Sequence, residues 1–157
     1  MRLTHWLTLP AALVIAFLPA LGGFISRPDA WYQSLSKPAW NPPSWVFGPV
    51  WTALYATMGV ASWLVWRERA RRPRHVRAAL AAYAVQLALN AAWSPLFFGL
   101  RRPDLALIDI VLLWAAIVAT VVLFWRVHKA AGAILLPYLA WVTFATALNL
   151  TIWRLNP

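Results

Sequence analysis

The stretch from Trp31 to Trp51 reads WYQSLSKPAWNPPSWVFGPVW and lies between two long apolar segments. It contains too many Pro and Gly residues for one continuous helix and too many Trp residues for an ordinary solvated loop. The stretch therefore predicts a structured lid over a pocket embedded in a membrane. The lid loop itself is expected to cover residues 26–43.

The composition indicates that lipid surrounds most of the protein surface. Of the 157 residues, 62% are hydrophobic and 11% are charged, and the mean hydropathy is +0.64. Soluble domains usually carry a charged fraction of about a quarter. We therefore expect one integral membrane domain that covers residues 1–157.

Five apolar segments predict an all-α protein, an up-down bundle of five transmembrane helices. Each segment is about long enough to cross a hydrocarbon core of roughly 30 Å. Short connections make neighbouring helices antiparallel. The expected helices cover residues 3–24, 45–66, 76–98, 104–127 and 133–155. A signal peptide is the rival interpretation of the first segment, because Arg2 precedes the apolar run and Ala20-Leu21-Gly22 has small residues at cleavage positions.

Local signals place the helix boundaries. Ser44 and Asp104 are expected to act as N-caps of the second and fourth helices. Pro10 and Pro19 are expected to kink the first helix without ending it. Residues 128–132 are expected to form a turn.

The charge distribution favours a membrane topology over nucleic-acid binding. The net charge is +10, but the basic residues collect in short gaps between apolar segments. One side of the expected bundle holds nine Lys and Arg residues, and the other holds five. This asymmetry predicts a cytoplasmic N-terminus and a lid outside, in a bacterial cell membrane. The chain has no Cys, which excludes thiolate chemistry and disulfides.

Residues distributed over the lid and four helices resemble a known family. In chain order they are Trp31-Tyr32, Lys37-Pro38, Trp40-Asn41-Pro42-Pro43, Val50-Trp51, Asn90 with Trp93 and Ser94, Asp109, and Pro137-Tyr138 with Trp141 and Phe144-Ala145. This pattern resembles the tryptophan-rich sensory protein and translocator protein family (TspO/MBR, formerly the peripheral-type benzodiazepine receptor). Within that family, the chain resembles a bacterial member.

The resemblance implies a five-helix fold, usually dimeric, with a ligand pocket under the first loop. It implies binding of tetrapyrroles such as protoporphyrin IX and haem, and of synthetic isoquinoline carboxamide and benzodiazepine ligands. Sterol binding is implied for animal members. Bacterial members are regarded as stress sensors or regulators of tetrapyrrole metabolism. No required cofactor is implied.

A porphyrin site needs aromatic faces, a slot, and a few cationic or amide donors for the propionates. The candidate ligand-binding residues that supply these groups are Trp31, Tyr32, Trp40, Asn41, Pro42, Trp51, Tyr55, Asn90, Trp93, Trp141 and Ala145. The candidate supporting residues are Lys37, Gln86, Asp109 and Asn149. The alternative for the Trp residues is an interfacial belt, and the alternative for the intramembrane amides is bonding between helices.

Asp109 is expected near the outer interface, because it lies only five residues after Asp104. There it could accept hydrogen bonds from Trp N–H groups or pair with Arg102 or Lys37. Since all three His residues, at positions 5, 75 and 128, are expected on the inner side, a haem under the lid would lack a His ligand. No metal site is predicted.

Small residues at four-residue spacing, Ala84, Ala88 and Ala92, predict a homodimer seam on the third helix. The alternative is close packing within one bundle.

Three functions compete. The first is a receptor or sensor for tetrapyrroles or other flat apolar molecules. The second is a light-dependent enzyme that oxidises protoporphyrin. The lid has no residues suited to hydrolytic chemistry, but it has Trp residues that can be oxidised. The third is a porphyrin or sterol transporter, which neither inverted repeats nor acidic relays support.

Overall fold

A computed structural model describes residues 8–157, and within this range the regular structure is entirely helical. In chain order the helices are α1 (Thr8–Phe17), α2 (Ala20–Ile25), α3 (Ala30–Ser34), α4 (Ser44–Arg67), α5 (Pro73–Ser94), α6 (Pro103–Val127), α7 (Lys129–Ala133) and α8 (Leu136–Leu155). A π-helical turn, Pro95–Gly99, extends α5.

The first apolar segment is two helices, so the prediction that Pro19 would only kink it is wrong. Pro19 has no N–H to continue the ladder, and the preceding Leu18 N–H closes a tighter turn onto the Ile15 carbonyl at 3.2 Å. Pro10, in the first turn of α1, leaves that helix intact. The predicted start at residue 3 lies outside the described residues.

The lid contains a helix that was not predicted. Helix α3 lies in its first half, and the Asp29 carboxylate caps this helix by accepting the Tyr32 N–H at 3.3 Å. Pro43, rather than Ser44, is the N-cap of α4, because its extended ψ of 143° turns the chain into the helix. The predicted Ser44 cap is therefore wrong.

Proline also places the next boundaries. Helix α5 begins at Pro73, earlier than the predicted residue 76, and the turn that ends it begins at Pro95. Helix α6 begins at Pro103 with Arg102 as its N-cap, so the predicted Asp104 cap is wrong. The Asp104 carboxylate instead accepts two hydrogen bonds from the Arg102 guanidinium, at 2.8 and 2.6 Å.

The predicted turn at residues 128–132 is largely the short helix α7. Gly132 lets it pack tightly, since a Cβ there would lie 2.8 Å from the Trp125 Cβ. Gly22 allows α2 a similar approach to α5, where a Cβ would lie 2.5 Å from the Ala91 carbonyl oxygen. These two contacts require the absence of a side chain.

Helix α6 lies centrally, packed against α5 on one side and α8 on the other, while α1 packs on α4. The main core includes Met58, Ile117 and Phe124, and a second apolar cluster around Phe97 lies at the lid end. By length and composition, the helical stretches Pro103–Val127 and Lys129–Leu155 can cross a membrane. The count of five membrane-spanning helices remains a prediction.

Candidate ligand-binding site

The α3 end of the lid covers an aromatic cluster at the end of α5. The rings of Trp31 and Tyr32 contact the buried Phe97 edge-on, with centroids 6.1 and 6.2 Å apart. Phe97 in turn stacks on Trp93, at 5.0 Å and an interplanar angle of 27°. The structure therefore brings together three predicted residues around Phe97, which was not among the candidate site residues.

A second aromatic cluster joins the other half of the lid to α8. Trp40 contacts Phe144 at 5.8 Å, and Phe144 contacts Trp141 at 5.4 Å. Phe47 of α4 contacts Trp141 edge-on, with ring centroids 5.9 Å apart. Trp40 remains 49% exposed, so this lid ring faces solvent and is joined to the half-buried Trp141 through Phe144.

Below these clusters, a chain of buried hydrogen bonds links α4, α5 and α8. The Tyr55 hydroxyl donates to Asn90 Oδ1 at 3.0 Å, and Asn90 Nδ2 donates to the Tyr138 hydroxyl at 2.9 Å. That hydroxyl donates to Gln86 Oε1 at 2.7 Å. Because these buried polar groups satisfy one another's hydrogen-bonding capacity, this series of hydrogen bonds fixes the orientation of the two tyrosine rings.

Trp51 packs against the two tyrosines of this hydrogen-bond series. Its indole is nearly parallel to the Tyr55 ring, at 5.4 Å and 29°, and meets the Tyr138 ring edge-on at 6.3 Å. Tyr138 was absent from the predicted site residues. Its position three residues before Trp141 on α8, one helical turn away, was the signal that could have found it.

Asn149 holds Trp93 in place. Its Oδ1 accepts the Trp93 indole N–H at 3.0 Å, and its Nδ2 donates to the Pro103 carbonyl at 2.9 Å. The side chain thus joins α5, α6 and α8. Its supporting role in the structure is to connect helices, one of the two alternatives that the sequence left open.

The lid is tied down at two points. Arg101 forms an ion pair with Asp29 at 2.9 Å, and the Asn156 amide makes two hydrogen bonds of 2.9 Å with the backbone of Ser36. Partial desolvation raises the pKa of Asp29, but hydrogen bonds from the Tyr32 N–H and from Arg101 outweigh it and hold that pKa below its usual range.

Lys37 and Asp109 do not pair. Lys37 Nζ lies 4.7 Å from the centre of the Tyr32 ring and donates to the Gln33 and Leu35 carbonyls, so it stabilises the lid from within. Arg102 pairs with Asp104. Asp109 is buried, with Oδ2 lacking a hydrogen-bond partner, so the predicted pairing with Arg102 or Lys37 is wrong. Position along the helix predicts the depth of Asp109 but not the direction that its side chain faces.

Two polar atoms of the predicted site residues are also buried without a partner: Asn41 Oδ1 in the lid and Trp141 Nε1 on α8. Pro42 is half-buried beside Asn41, and Ala145 packs one turn from Trp141. The aromatic rings contact one another across this region. A ligand bound here would have to displace the lid rings, and the unpaired atoms would then offer it one donor and one acceptor.

The remaining predictions concern residues away from the lid. Ala84 and Ala88 are exposed and Ala92 is half-buried, so this face of α5 is available to a second chain. His75 and His128 lie at the ends of α5 and α6 remote from the lid, and His5 lies outside the described residues. Residues 8–157 contain no group of side chains suited to a metal ion.

Comparison with known proteins identifies the family. The sequence profile of the TspO/MBR family matches residues 8–154. This chain belongs to the TspO/MBR family. It is 45% identical to the tryptophan-rich protein TspO of Chlorobaculum tepidum, over 95% of this chain and 97% of that protein. It is 43% identical to the translocator protein of Homo sapiens, over 92% of this chain and 89% of that protein.

A third TspO/MBR relative, the tryptophan-rich sensory protein of Cereibacter sphaeroides, is 42% identical over 92% of each chain. Membership of this family and the two long apolar helical stretches are consistent with a membrane protein. The names of the relatives support a receptor or sensor role.

Proposed function

We propose that this TspO/MBR protein is a membrane receptor or sensor that binds protoporphyrin IX, haem or another flat apolar molecule beneath the lid. The observation that carries the proposal is the position of Trp141. Its indole N–H is buried without a partner, and its ring contacts Phe144, which in turn contacts the half-exposed lid ring of Trp40. We expect a buried, unpaired donor next to an aromatic lid cluster in a site that binds a ligand.

A macrocycle fits the chemistry of this region. When the lid lifts, the rings that now contact each other edge-on can contact the two faces of a flat ligand instead. The stacked pair of Trp51 and Tyr55 offers one preformed flat wall. Arg101 and Lys37 at the lid rim are the cations for propionate groups.

The proposed ligand contacts come from the two aromatic clusters and the buried chain below them. The residues are Trp31, Tyr32, Trp40, Asn41, Pro42, Trp51, Tyr55, Asn90, Trp93, Trp141 and Ala145. Gln86 and Asn149 hold them through hydrogen bonds to Tyr138 and Trp93. No His residue belongs to this set, so a bound haem would be held by stacking and by its propionates.

We also propose a membrane arrangement. The segments of α1–α2, α4, α5, α6 and α7–α8 each cross the bilayer, with the N-terminus in the cytoplasm and the lid outside. The excess of Lys and Arg at the end remote from the lid supports this orientation. Two copies associate through Ala84, Ala88 and Ala92, whose small side chains permit close helix approach.

Titration with protoporphyrin IX tests the proposal. Saturable quenching of Trp fluorescence is expected, and Trp51→Ala should weaken binding about tenfold or more because it removes a stacking wall. Trp66→Ala, which removes a 40% exposed Trp from the opposite end of α4, is the control and should leave affinity within about twofold. Equal losses in both variants would reject this site.

A light-dependent oxidation of protoporphyrin is the second candidate. The Trp51–Tyr55 stack places two oxidisable rings beside the proposed ligand position. If the protein is an enzyme of this kind, illumination under oxygen should consume bound protoporphyrin faster than free protoporphyrin. Trp51→Phe should slow that consumption without a comparable loss of affinity.

A further inference from the structure

A basic groove lies at the end of the molecule remote from the lid. It is an open depression of about 570 Å³, lined by Arg71, Arg72, Pro73, Arg74, His75 and Arg126. Helix α4 leads from the lid to this end through 24 residues, a distance of about 36 Å at 1.5 Å per residue. The groove is therefore separate from the proposed tetrapyrrole site.

The positive charge of the basic groove is largely unneutralised. Arg71 lies 3.8 Å from Glu68, and the other described ion pairs are at the lid end of the protein. Among residues 8–157, no hydrogen bond or ion pair engages the Arg74 or Arg126 side chain. The α5 N-terminus, which begins at Pro73 and has no acidic residue in its first turn, adds a positive potential.

The groove is held in shape by a backbone contact. The Arg72 guanidinium donates to the carbonyl oxygen of Arg126 at 2.9 Å, which ties the connection between α4 and α5 to the end of α6. Because the accepting atom belongs to the backbone, the Arg126 side chain stays available. Basic residues that only set the membrane orientation would need no particular arrangement in this connection. The contact between Arg72 and Arg126 instead holds them around a concave surface.

An apolar groove continues from the basic one. It has a volume of about 300 Å³ and is lined by Val121, Val122, Trp125 and Arg126. Arg126 is common to both grooves. Val122 and Trp125 are 43% and 44% exposed, so this surface of α6 has no covering segment in the described chain.

We propose that the two grooves together bind one anionic glycerophospholipid. The phosphate lies between Arg74 and Arg126 near the α5 N-terminus, and an acyl chain follows Val121, Val122 and Trp125 along α6. Free phosphate would use only the basic half, and a neutral lipid would leave the cations unpaired. The cations of the basic groove and the apolar side chains of the neighbouring groove together favour a molecule that carries both a negative headgroup and a hydrocarbon chain.

The test uses the purified full chain in a neutral detergent, with lipid binding measured by native mass spectrometry. The probes are dioctanoyl phosphatidylglycerol and, as the zwitterionic comparison, dioctanoyl phosphatidylcholine. Inorganic phosphate is added as a competitor. The variant Arg74→Gln/Arg126→Gln removes the two unpaired cations. The matched control Arg27→Gln/Arg154→Gln removes two exposed cations at the lid end.

Phosphatidylglycerol is expected to bind at least about tenfold more tightly than phosphatidylcholine. The groove variant should lose that preference and the lid-end control should keep it. Val122→Ser should weaken lipid binding, and millimolar phosphate should compete poorly. Equal loss in the two double variants, no preference in the wild type, or displacement by phosphate at concentrations similar to the lipid would each overturn the proposal. Protoporphyrin binding should be unchanged in the groove variant, which keeps this test separate from the ligand site.

Discussion

Asn90 Nδ2 donates a hydrogen bond of 2.9 Å to the Tyr138 hydroxyl, and this contact joins α5 to α8 inside the core. The same hydroxyl donates to Gln86, and Asn90 accepts from Tyr55, so one phenol oxygen connects two buried amides. The floor of the proposed ligand site is therefore part of what holds the helices together.

Tyr138→Phe should lower the free energy of unfolding by about 1–3 kcal/mol, because it leaves the Gln86 and Asn90 amides partly unpaired. Thermal unfolding in detergent measures the change. Tyr83→Phe is the matched control, since the Tyr83 hydroxyl is buried and lacks a hydrogen-bond partner by distance and angle. Its cost should be below about 0.5 kcal/mol. Equal costs would show that the hydrogen-bond chain adds no stability.

Trp141→Phe should have opposite effects on stability and on binding. It removes a buried N–H that has no partner in the free protein, so stability should stay constant or rise slightly. If the N–H donates to the ligand, protoporphyrin affinity should fall about three- to tenfold. Thermal unfolding and titration of the same preparation separate the two effects. Lower stability with unchanged affinity would assign the indole to packing alone.

Arg101→Gln should loosen the lid, because it removes the ion pair with Asp29. Amide hydrogen exchange over residues 26–36 should increase several-fold. Arg102→Gln has the same change of charge at the neighbouring residue but removes only a local pair with Asp104, and it should leave that exchange unaltered. Faster exchange in both variants would attribute the effect to net charge.

Acid should loosen the lid in the wild type as well. The pKa of Asp29 is lowered in the folded protein, so its stabilising contribution is complete above the ordinary value of about 4. That contribution is lost as the pH falls through the lowered folded value. Lid exchange, corrected for intrinsic rates, should rise at that point in the wild type and show a weaker pH dependence in Asp29→Asn. An identical profile in the two proteins would contradict the assignment.

Gly22→Ala should destabilise the protein by about 1–3 kcal/mol, because the new Cβ would lie 2.5 Å from a backbone oxygen of α5. The helical Gly48 has no atom within 4 Å of such a Cβ. Gly48→Ala should therefore be neutral or stabilising by up to about 1 kcal/mol. Urea or thermal unfolding of the pair gives the difference, and similar values would mean that α2 can move away from α5.

The apolar segments were sufficient to predict the positions of α4, α5, α6 and α8 to within a few residues, because helices of that length dominate the hydropathy pattern. The break at Pro19 and the short helices α3 and α7 were not predictable in the same way. They depend on local hydrogen bonds and on tertiary contacts such as that of Gly132 with Trp125. Proline sets the starts of α4 and α6: Pro43 is the N-cap of α4, and Pro103 is the first residue of α6. The N-caps expected at Ser44 and Asp104 therefore do not form.

The candidate site was predictable as a set of residue types but not as an arrangement. The sequence pattern predicts Trp31 and Trp141 in one aromatic region, yet their connections run through Phe97 and Phe144, neither of which was among the candidate ligand-binding residues. For Asp109, spacing along α6 fixes height and leaves the facing direction undetermined. Only the packing of the helices provides that direction.

Hydrogen exchange with and without protoporphyrin IX shows whether the tetrapyrrole binds beneath the lid, because it locates the ligand without any substitution. Binding beneath the lid predicts slower exchange across residues 26–43 and in α8 around Trp141, with no change across residues 67–77 at the opposite end. Saturable binding that protects residues 67–77, or that leaves the lid unprotected, would contradict the account.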